Sequence, residues 1–562
     1  MGEDSASLQA GAAEKAVRAF LRQHWPLLLA LAVLLLTVYT LRAISLRWTQ
    51  GHLVYALDDA YIHMAMAKNL VEHGVWGITA DGFTSSSSSP LWTLLLAGTY
   101  ALAGVNTTSP LILSLVSACL VLVVAYRILR EFQFPPNITL LTLLGVILLT
   151  PLPALVFSGM EHALQTALTV AATFLAARVL SPAETPSHRG HYLWLLSLAP
   201  LITMVRFEGM FLVLLISLGF FLRKQARRGV WFALVGFLPV AAYGAVARVH
   251  GWPLFPTSVL LKSSFSGAAN AKLLVRHLMR QDFFNLLNGD HLVALILFAI
   301  LVEIVARARG ERAWDTQRIM TAIFVGTGIL HLGLARVGWF YRYEAYLVAL
   351  GIVVVACRFK SLARAAPASP DLKLRTFAYK HGAVFVLVLS LSSCLMRGVK
   401  ALKDIPQATI NIFEQQYQMG TFVKRYYQHS TVALNDLGAV NFLADIHCLD
   451  VWGLATPEVA RMRMQGHYRR EDLARLAVKS GARIAIVYDM WFGRVLPSEW
   501  IRVGQWQIHN SVVVGSDTVS IYAIDPSEAA PLMAHLAEFS AQLPADVLQS
   551  GPYVEHVRSP RY

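Results

Sequence analysis

The chain has 562 residues, of which 56% are hydrophobic and 15% charged, and its mean hydropathy is +0.51. This composition excludes a water-soluble globular protein, because soluble domains carry about 25% charged residues. The net charge is +14, with 33 Lys and Arg against 18 Asp and Glu before residue 398, and 15 against 16 after it. The basic excess therefore belongs to the apolar part, where it reports membrane orientation and contact with lipid, not nucleic-acid binding.

The first apolar run, Trp25–Leu41, follows a polar segment, residues 1–24, that contains Lys15, Arg18 and Arg22. The run lacks a small-residue cleavage site, so we interpret it as an anchor whose N-terminal segment is cytoplasmic. Many later apolar runs approach the length of about 20 residues that crosses a bilayer. The sequence thus predicts a polytopic α-helical protein of the inner or plasma membrane. The four cysteines show no metal-ligand spacing and predict no disulfide framework.

Basic clusters between apolar runs mark the cytoplasmic side. The clear clusters are Arg223–Arg228, Arg307–Arg312 and Arg358–Lys380. Counting runs between them gives about 11 spans. The resulting domains are a transmembrane domain over residues 25–397, with external loops 44–109 and 250–286, and a periplasmic or extracellular domain over residues 398–562. The run Pro90–Gly104 is short for a span, and we expect a re-entrant or interfacial helix there.

Two adjacent carboxylates, Asp58 and Asp59, open the stretch Tyr55–Gly74 in the first external loop. The apolar residues that follow recur at helical spacing, which predicts a short amphipathic helix on the outer surface. One interpretation is that an aspartate caps this helix. The other is a functional site, because further ionisable groups are predicted on the same side, where they are costly unless they serve a purpose. These groups are Glu161, Arg206, Glu208, Lys262, Arg342 and Glu344.

Each of these groups also has a structural interpretation. Arg206 and Glu208, in "RFEG", can form an internal ion pair, and the same holds for Arg342 and Glu344 in "RYE". Lys262 can extend to lipid headgroups. The run of five serines in "GFTSSSSSPLW" is either a linker or a hydroxyl-lined loop beside a polar substrate.

The segment after residue 398 has the pattern of a small α/β domain. Strands are predicted at Thr431–Asp436, His447–Gly453, Arg483–Tyr488 and Val519–Ile524, and helices at Gln415–Tyr427 and Arg470–Lys479. It contains no glycine-rich phosphate loop, so we interpret it as an acceptor-binding or structural module.

In order and in predicted location, these motifs resemble those of the GT-C superfamily of membrane glycosyltransferases. The resemblance rests on the acidic pair in "LDDAYIHMAMAKNL", on "SPLW" at Ser89–Trp92 and on the external acid in "SGMEHAL". Within the superfamily, "DDAYI", "GME", "RFEG" and "FPTSVLLK" resemble the bacterial proteins related to mycobacterial terminal arabinofuranosyltransferases. The chain departs from that subgroup at Phe207, where relatives have proline, and before Thr257, where the usual asparagine is missing.

The resemblance implies transfer of a hexosyl or pentosyl group from a polyprenyl-phosphate sugar to a hydroxyl of a glycan, lipid or protein acceptor in the cell envelope, with inversion. It implies that Asp58 is the general base, and that Asp59 and Glu161 orient hydroxyl groups. It further implies that Arg206, Lys262 and Arg342 neutralise the departing polyprenyl phosphate. We expect no essential metal, although a divalent ion held by the paired acids remains the alternative.

Two other classes of function fit part of the sequence. A transporter or flippase-like protein would use intramembrane charge to line a path, but such a path needs polar groups near mid-bilayer, and this chain places them at the outer ends of spans. A membrane-anchored sensor would explain the C-terminal domain but not the acids in the earlier loops.

Overall fold

The structure, a computed structural model, describes residues 2–182, 188–261, 285, 288–308, 310–311, 313–364 and 370–558. Within these ranges, the regular elements of the first 412 residues are all helices. They are α1 (Gly2–Trp48), α2 (Asp59–His73), α3 (Pro90–Ala103), α4 (Ser109–Glu131), α5 (Pro136–Leu149), α6 (Leu152–Phe157), α7 (His162–Leu180), α8 (His188–Val205), α9 (Gly209–Leu222), α10 (Ala226–Val249), α11 (Thr257–Leu260), α12 (Asp290–Ala308), α13 (Thr316–Leu334), α14 (Ala345–Arg364) and α15 (Pro370–Ile412).

Six described helices are long and apolar enough to cross a membrane, which makes this a multi-pass membrane protein. They lie at Val17–Trp48, Ser109–Glu131, His162–Leu180, Ala226–Val249, Asp290–Ala308 and Thr316–Leu334. The apolar helices α3, α5 and α9 are shorter, at 14 residues each. The count of about 11 spans, the domain boundaries and the orientation of the termini stay predictions.

The remaining elements form a six-stranded mixed sheet with helices. They are α16 (Gln418–Tyr426), β1 (Thr431–Leu434), α17 (Gly438–Leu443), β2 (His447–Asp450), α18 (Pro457–Met464), α19 (Arg470–Ser480), β3 (Ile484–Val487), α20 (Asp489–Phe492), β4 (Ile501–Gln507), β5 (Thr518–Ala523), α21 (Ala529–Phe539), β6 (Leu548–Ser550) and α22 (Pro552–Arg558). The strand order is β2-β1-β3-β5-β4-β6. β2, β1 and β3 are parallel, and the other neighbours are antiparallel.

The sheet has strands at the four predicted places and two that the sequence analysis missed, β4 and β6. One face of the sheet packs Trp506 against Phe422 and Phe539. The other face buries Leu473 and Phe492. Because both faces are covered, the central parallel strand β3 is apolar throughout its length and β1 is apolar after Thr431, whereas the edge strand β2 begins with His447 and ends with Asp450.

The helix predicted after the acid pair is present as α2, but it does not lie on the surface. Gly74 ends it in a left-handed conformation, with its N–H donating to the carbonyls of Asn69 and Leu70. All residues from Ala60 to Ala67 are buried, because α3 covers one side of the helix and α17 of the C-terminal sheet covers another. The amphipathic pattern therefore reflects packing inside the protein.

Candidate functional site

A cavity of about 360 Å³ lies where α9, α11 and the segment before α14 meet the start of α2. Its wall carries the charged residues Asp59, Arg206, Glu208, Arg336 and Arg342. The rest of its wall is largely apolar, with aromatic side chains at Phe207, Phe211 and Phe255. Charged groups on an otherwise apolar concave surface are typical of a binding site.

Arg206 is held by two carboxylates at the end of α8. Its Nη1 donates to Glu161 Oε1 at 2.8 Å, while Nε and Nη2 donate to the two oxygens of Glu208 at 3.0 and 2.6 Å. Burial alone would raise the pKa of Glu208, but the charge and hydrogen bonds of Arg206 outweigh it and lower this pKa to about 2. The two charged residues of "RFEG", Arg206 and Glu208, and the acid of "SGMEHAL", Glu161, thus form one charged cluster, in which Arg206 faces the cavity.

Arg342 is the second buried cation of the cavity, with 1% of its surface exposed. It forms an ion pair with Asp59, and its Nη1 lies 2.7 Å from Met160 Sδ. Both guanidinium groups lie over the ring of Tyr343, whose centroid is 4.9 Å from Arg342 Cζ and 5.6 Å from Arg206 Cζ. Stacking on an aromatic ring stabilises a desolvated guanidinium. The two arginines are therefore fixed as a pair.

Asp58 has different surroundings from its neighbour Asp59. Its Oδ2 accepts from the backbone N–H of Gly438 and its Oδ1 from that of Ala439, both at 2.8 Å, at the start of α17. Burial, and then the negative charge of Asp436, raise the pKa of Asp58 to about 8, although the two amide donors act to lower it. The two adjacent acids therefore differ in their surroundings. Asp59 forms an ion pair with Arg342, whereas Asp58 lies within the influence of the negative charge of Asp436.

Glu344 is buried behind the cavity wall and does not line the cavity. It pairs with Arg397 and accepts from the backbone N–H of Gly338 at 2.7 Å. The intervening residues 338–341 all have positive φ, from 45° to 83°. Left-handed backbone costs about 1–2 kcal/mol for each non-glycine residue, so surrounding contacts must hold this turn. Arg342 follows it directly.

The serine run is neither a linker nor part of the wall of the charged cavity, apart from Ser88. Ser86 Oγ and Thr257 Oγ1 both donate to the carbonyl of Leu454, each at 2.7 Å, and the N–H of Thr257 donates to the carbonyl of Ser85. The buried hydroxyls therefore join the serine run, "PLFPTSVLLK" and the segment that follows β2. Lys262, which follows this motif, lies outside the described residues.

A second, apolar groove of about 640 Å³ adjoins the charged cavity. Its wall includes Trp76, Phe83, Pro239 and Tyr243. Phe207 belongs to both walls, so the two spaces share a boundary.

Sequence reasoning missed the contribution of the C-terminal sheet to the site. Asp436 follows β1 and accepts from Gln416 Nε2 at 2.8 Å and from Tyr488 Oη at 2.5 Å. The sequence did carry a sign of this contribution, because Asp436 ends a predicted strand. Sheets of this kind bind ligands at the carboxyl ends of their parallel strands, where such polar residues lie.

A family model described as a domain of unknown function (DUF8728) matches residues 409–522. No curated protein matches the chain. Among solved structures, ArnT from Cupriavidus metallidurans in the apo state is similar over 90% of this chain and 99% of that one, at 13% identity and a TM-score of 0.50. The same protein bound to undecaprenyl phosphate is similar over 89% and 98%, at 14% identity and a TM-score of 0.49.

The Archaeoglobus fulgidus oligosaccharyltransferase, in a complex with zinc and sulfate, is similar over 86% of this chain and 73% of that one, at 11% identity and a TM-score of 0.44. At these identities the likeness to ArnT concerns the fold. It supports the GT-C membrane fold expected from the sequence, while nothing in it distinguishes the arabinofuranosyltransferase subgroup.

Proposed function

We propose that the chain is a membrane glycosyltransferase that moves a sugar from a polyprenyl-phosphate donor to an acceptor hydroxyl on the outer face of the membrane, in synthesis of a cell-envelope glycan or glycoconjugate. One observation carries the proposal: two buried arginines, Arg206 and Arg342, and the carboxylate of Asp59 line the same cavity. The shared fold with ArnT, whose structure was determined with undecaprenyl phosphate, supports a lipid-linked donor.

The cavity suits the phosphate end of such a donor. Guanidinium groups match phosphate oxygens in shape and charge, and in a site shielded from water they stabilise the charge that develops on a departing phosphate. The apolar groove that shares Phe207 with the cavity offers a surface for the isoprenoid chain. Glu161 and Glu208 hold Arg206, and Asp59 holds Arg342, so the cations are in place before the donor binds.

The two acids of the pair then have separate roles. Asp59, paired with Arg342, orients the phosphate-binding cation. Asp58 is the general base, because its raised pKa makes it a stronger proton acceptor than an ordinary carboxylate. The acceptor O–H gives its proton to Asp58, its oxygen forms a bond to C1 of the sugar, and the C1–O bond to phosphate breaks. The phosphate leaves with the electron pair, and C1 is inverted.

The test is to incubate the purified full-length protein with radiolabelled polyprenyl-phosphate hexoses and pentoses. We expect one donor to be cleaved, and Arg342→Gln to lose most of this cleavage. A matched control is Arg228→Gln, since Arg228 also lies over a tyrosine ring, that of Tyr192 at 5.4 Å, but outside the cavity. Donors that bind, or cross the bilayer of proteoliposomes, without being cleaved would contradict the proposal.

A further inference from the structure

The C-terminal sheet has a topological switch point that faces the acid pair. From β1 the chain moves to β2 on one side, and from β2 it crosses to β3 on the other side of β1. Because the chain changes from one side of β1 to the other, a crevice forms outside the carboxyl ends of the neighbouring strands β1 and β3. Sheets of this kind bind ligands in such a crevice. Asp436 follows β1, and Tyr488 follows β3.

The crevice is lined by polar groups from three segments of the chain. Gln416 Nε2 donates to Asp436 Oδ2 at 2.8 Å and lies 2.9 Å from Tyr488 Oη, which itself lies 2.5 Å from Asp436 Oδ2. Gln416 is 1% exposed, yet its Oε1 accepts no hydrogen bond from the described residues. A buried acceptor without a donor is costly. A ligand that donates hydrogen bonds would satisfy it.

The crevice lies directly beside Asp58. Helix α17 begins two residues after Asp436, and its first amides, those of Gly438 and Ala439, donate to the Asp58 carboxylate. A Cβ on Gly438 would lie 2.1 Å from the carbonyl oxygen of Asp58, so glycine is required for this approach. Asp436 and Asp58 are both half-buried.

We infer that the crevice formed by Gln416, Asp436 and Tyr488 binds the acceptor, and that the acceptor group held there is a polyhydroxylated sugar. The inference rests on the proposed function. Sugar hydroxyls donate to the carboxylate and to the unpartnered Gln416 oxygen, while a neighbouring hydroxyl of the same ring faces Asp58. A divalent cation is less suited, since the donor groups of Gln416 and Tyr488 already point at the Asp436 carboxylate.

The test measures binding of hexyl glycosides of arabinofuranose, mannose, galactose and glucose to the full-length protein in nanodiscs, without donor, by saturation-transfer NMR and isothermal titration. We expect the wild-type protein to bind at least one glycoside. Gln416→Leu and Asp436→Asn should each weaken this binding about tenfold or more, the usual size for a lost hydrogen bond to a charged or buried group.

The matched control is Asp489→Asn, because Asp489 also accepts from a tyrosine hydroxyl, that of Tyr522 at 2.7 Å, elsewhere on the sheet. Equal affinity in all four proteins, or no glycoside binding at all, overturns the inference, and so does Ca²⁺ binding that only Asp436→Asn abolishes. Because no donor is present, a protein that binds glycosides but cleaves no donor contradicts the proposed function and leaves the acceptor site standing.

Discussion

The carboxylate of Asp58 accepts a hydrogen bond from the backbone N–H of Gly438, although 380 positions separate the two residues. The contact ties the segment between α1 and α2 to the C-terminal sheet. Two further pairs join the same parts of the chain: Lys68 with Asp445 at 2.7 Å, and Asp81 with His447 at 2.5 Å. The C-terminal sheet is therefore packed on the loop that carries the acid pair, and both contribute to the proposed site.

Replacing Asp58 with asparagine tests the general base. The change preserves size but removes the proton acceptor, so we expect sugar transfer to fall on the order of 10²-fold or more, with donor affinity largely kept. Asp81→Asn is the matched control, because Asp81 is also a loop aspartate bound to the C-terminal sheet. Single-turnover transfer and donor binding are the measurements. Transfer at the wild-type rate would remove Asp58 from the role and make Asp59 the next candidate.

The pH dependence of transfer follows from the same group. Because burial and Asp436 raise the pKa of Asp58 to about 8, its ionised form accumulates only as the pH rises through that value. We expect kcat/KM to increase through pH 8. In Asp436→Asn the rise should move to lower pH, since one negative neighbour is gone. If the wild-type protein and Asp436→Asn have the same pH profile, Asp436 does not contribute to the raised pKa of Asp58.

The same shift affects stability, with a definite sign. The folded state holds the Asp58 proton more tightly than the unfolded chain does, so this group favours folding at low pH. Its contribution to the free energy of unfolding is lost as the pH rises from about 4 toward 8.

The sequence predicted the membrane class, helix α2 and four strands, because these follow from hydrophobic periodicity in short windows. It also selected Asp59, Glu161, Arg206, Glu208 and Arg342, since charge beside an apolar span is costly wherever it occurs. It did not reveal that Asp58 contacts α17 or that α2 is buried. The first depends on a contact across 380 residues, and the second depends in part on the same helix α17, which no local pattern encodes.

The approach of Asp58 to α17 depends on the absence of a side chain at Gly438. In Gly438→Ala the new Cβ would lie 2.1 Å from the Asp58 carbonyl oxygen, so α17 must shift. The two hydrogen bonds from its backbone amides to the Asp58 carboxylate must then lengthen. We expect a loss of about 1–3 kcal/mol of stability, typical of overpacking, together with slower transfer. Gly98→Ala in α3 is the control, because its Cβ meets nothing within 4 Å. Thermal unfolding and transfer rates that match between the two variants would contradict the requirement.

Removal of divalent ions tests whether the paired acids hold a metal. We expect transfer to persist in excess EDTA after exhaustive dialysis, because Arg206 and Arg342 supply positive charge at the cavity and Asp59 is already paired with Arg342. A metal on Asp58 would also lower its pKa and weaken it as a base. Activity that disappears with chelator and returns with Mg²⁺, Mn²⁺ or Ca²⁺ would instead make these carboxylates metal ligands.

The left-handed turn formed by residues 338–341 directly precedes Arg342. Glu344 is fully buried, and it holds this turn from inside through Arg397 and the N–H of Gly338. In Glu344→Gln the charge of Arg397 loses its buried partner, and breaking such a pair costs about 3–5 kcal/mol. We therefore expect a lower melting temperature and weaker donor binding, because Arg342 is no longer fixed at the cavity.

Asp404→Asn is the matched control for this turn. Asp404 holds the same turn from outside, by accepting from Tyr341 Oη at 2.6 Å, and its other partner, Lys400, is 65% exposed. Since an exposed ion pair contributes only about 0–1 kcal/mol, this variant should lose little stability and little donor affinity. Thermal unfolding and donor titration of the two variants separate the cases. If Glu344→Gln lowers stability but binds donor as tightly as wild type, the turn supports the fold without positioning Arg342.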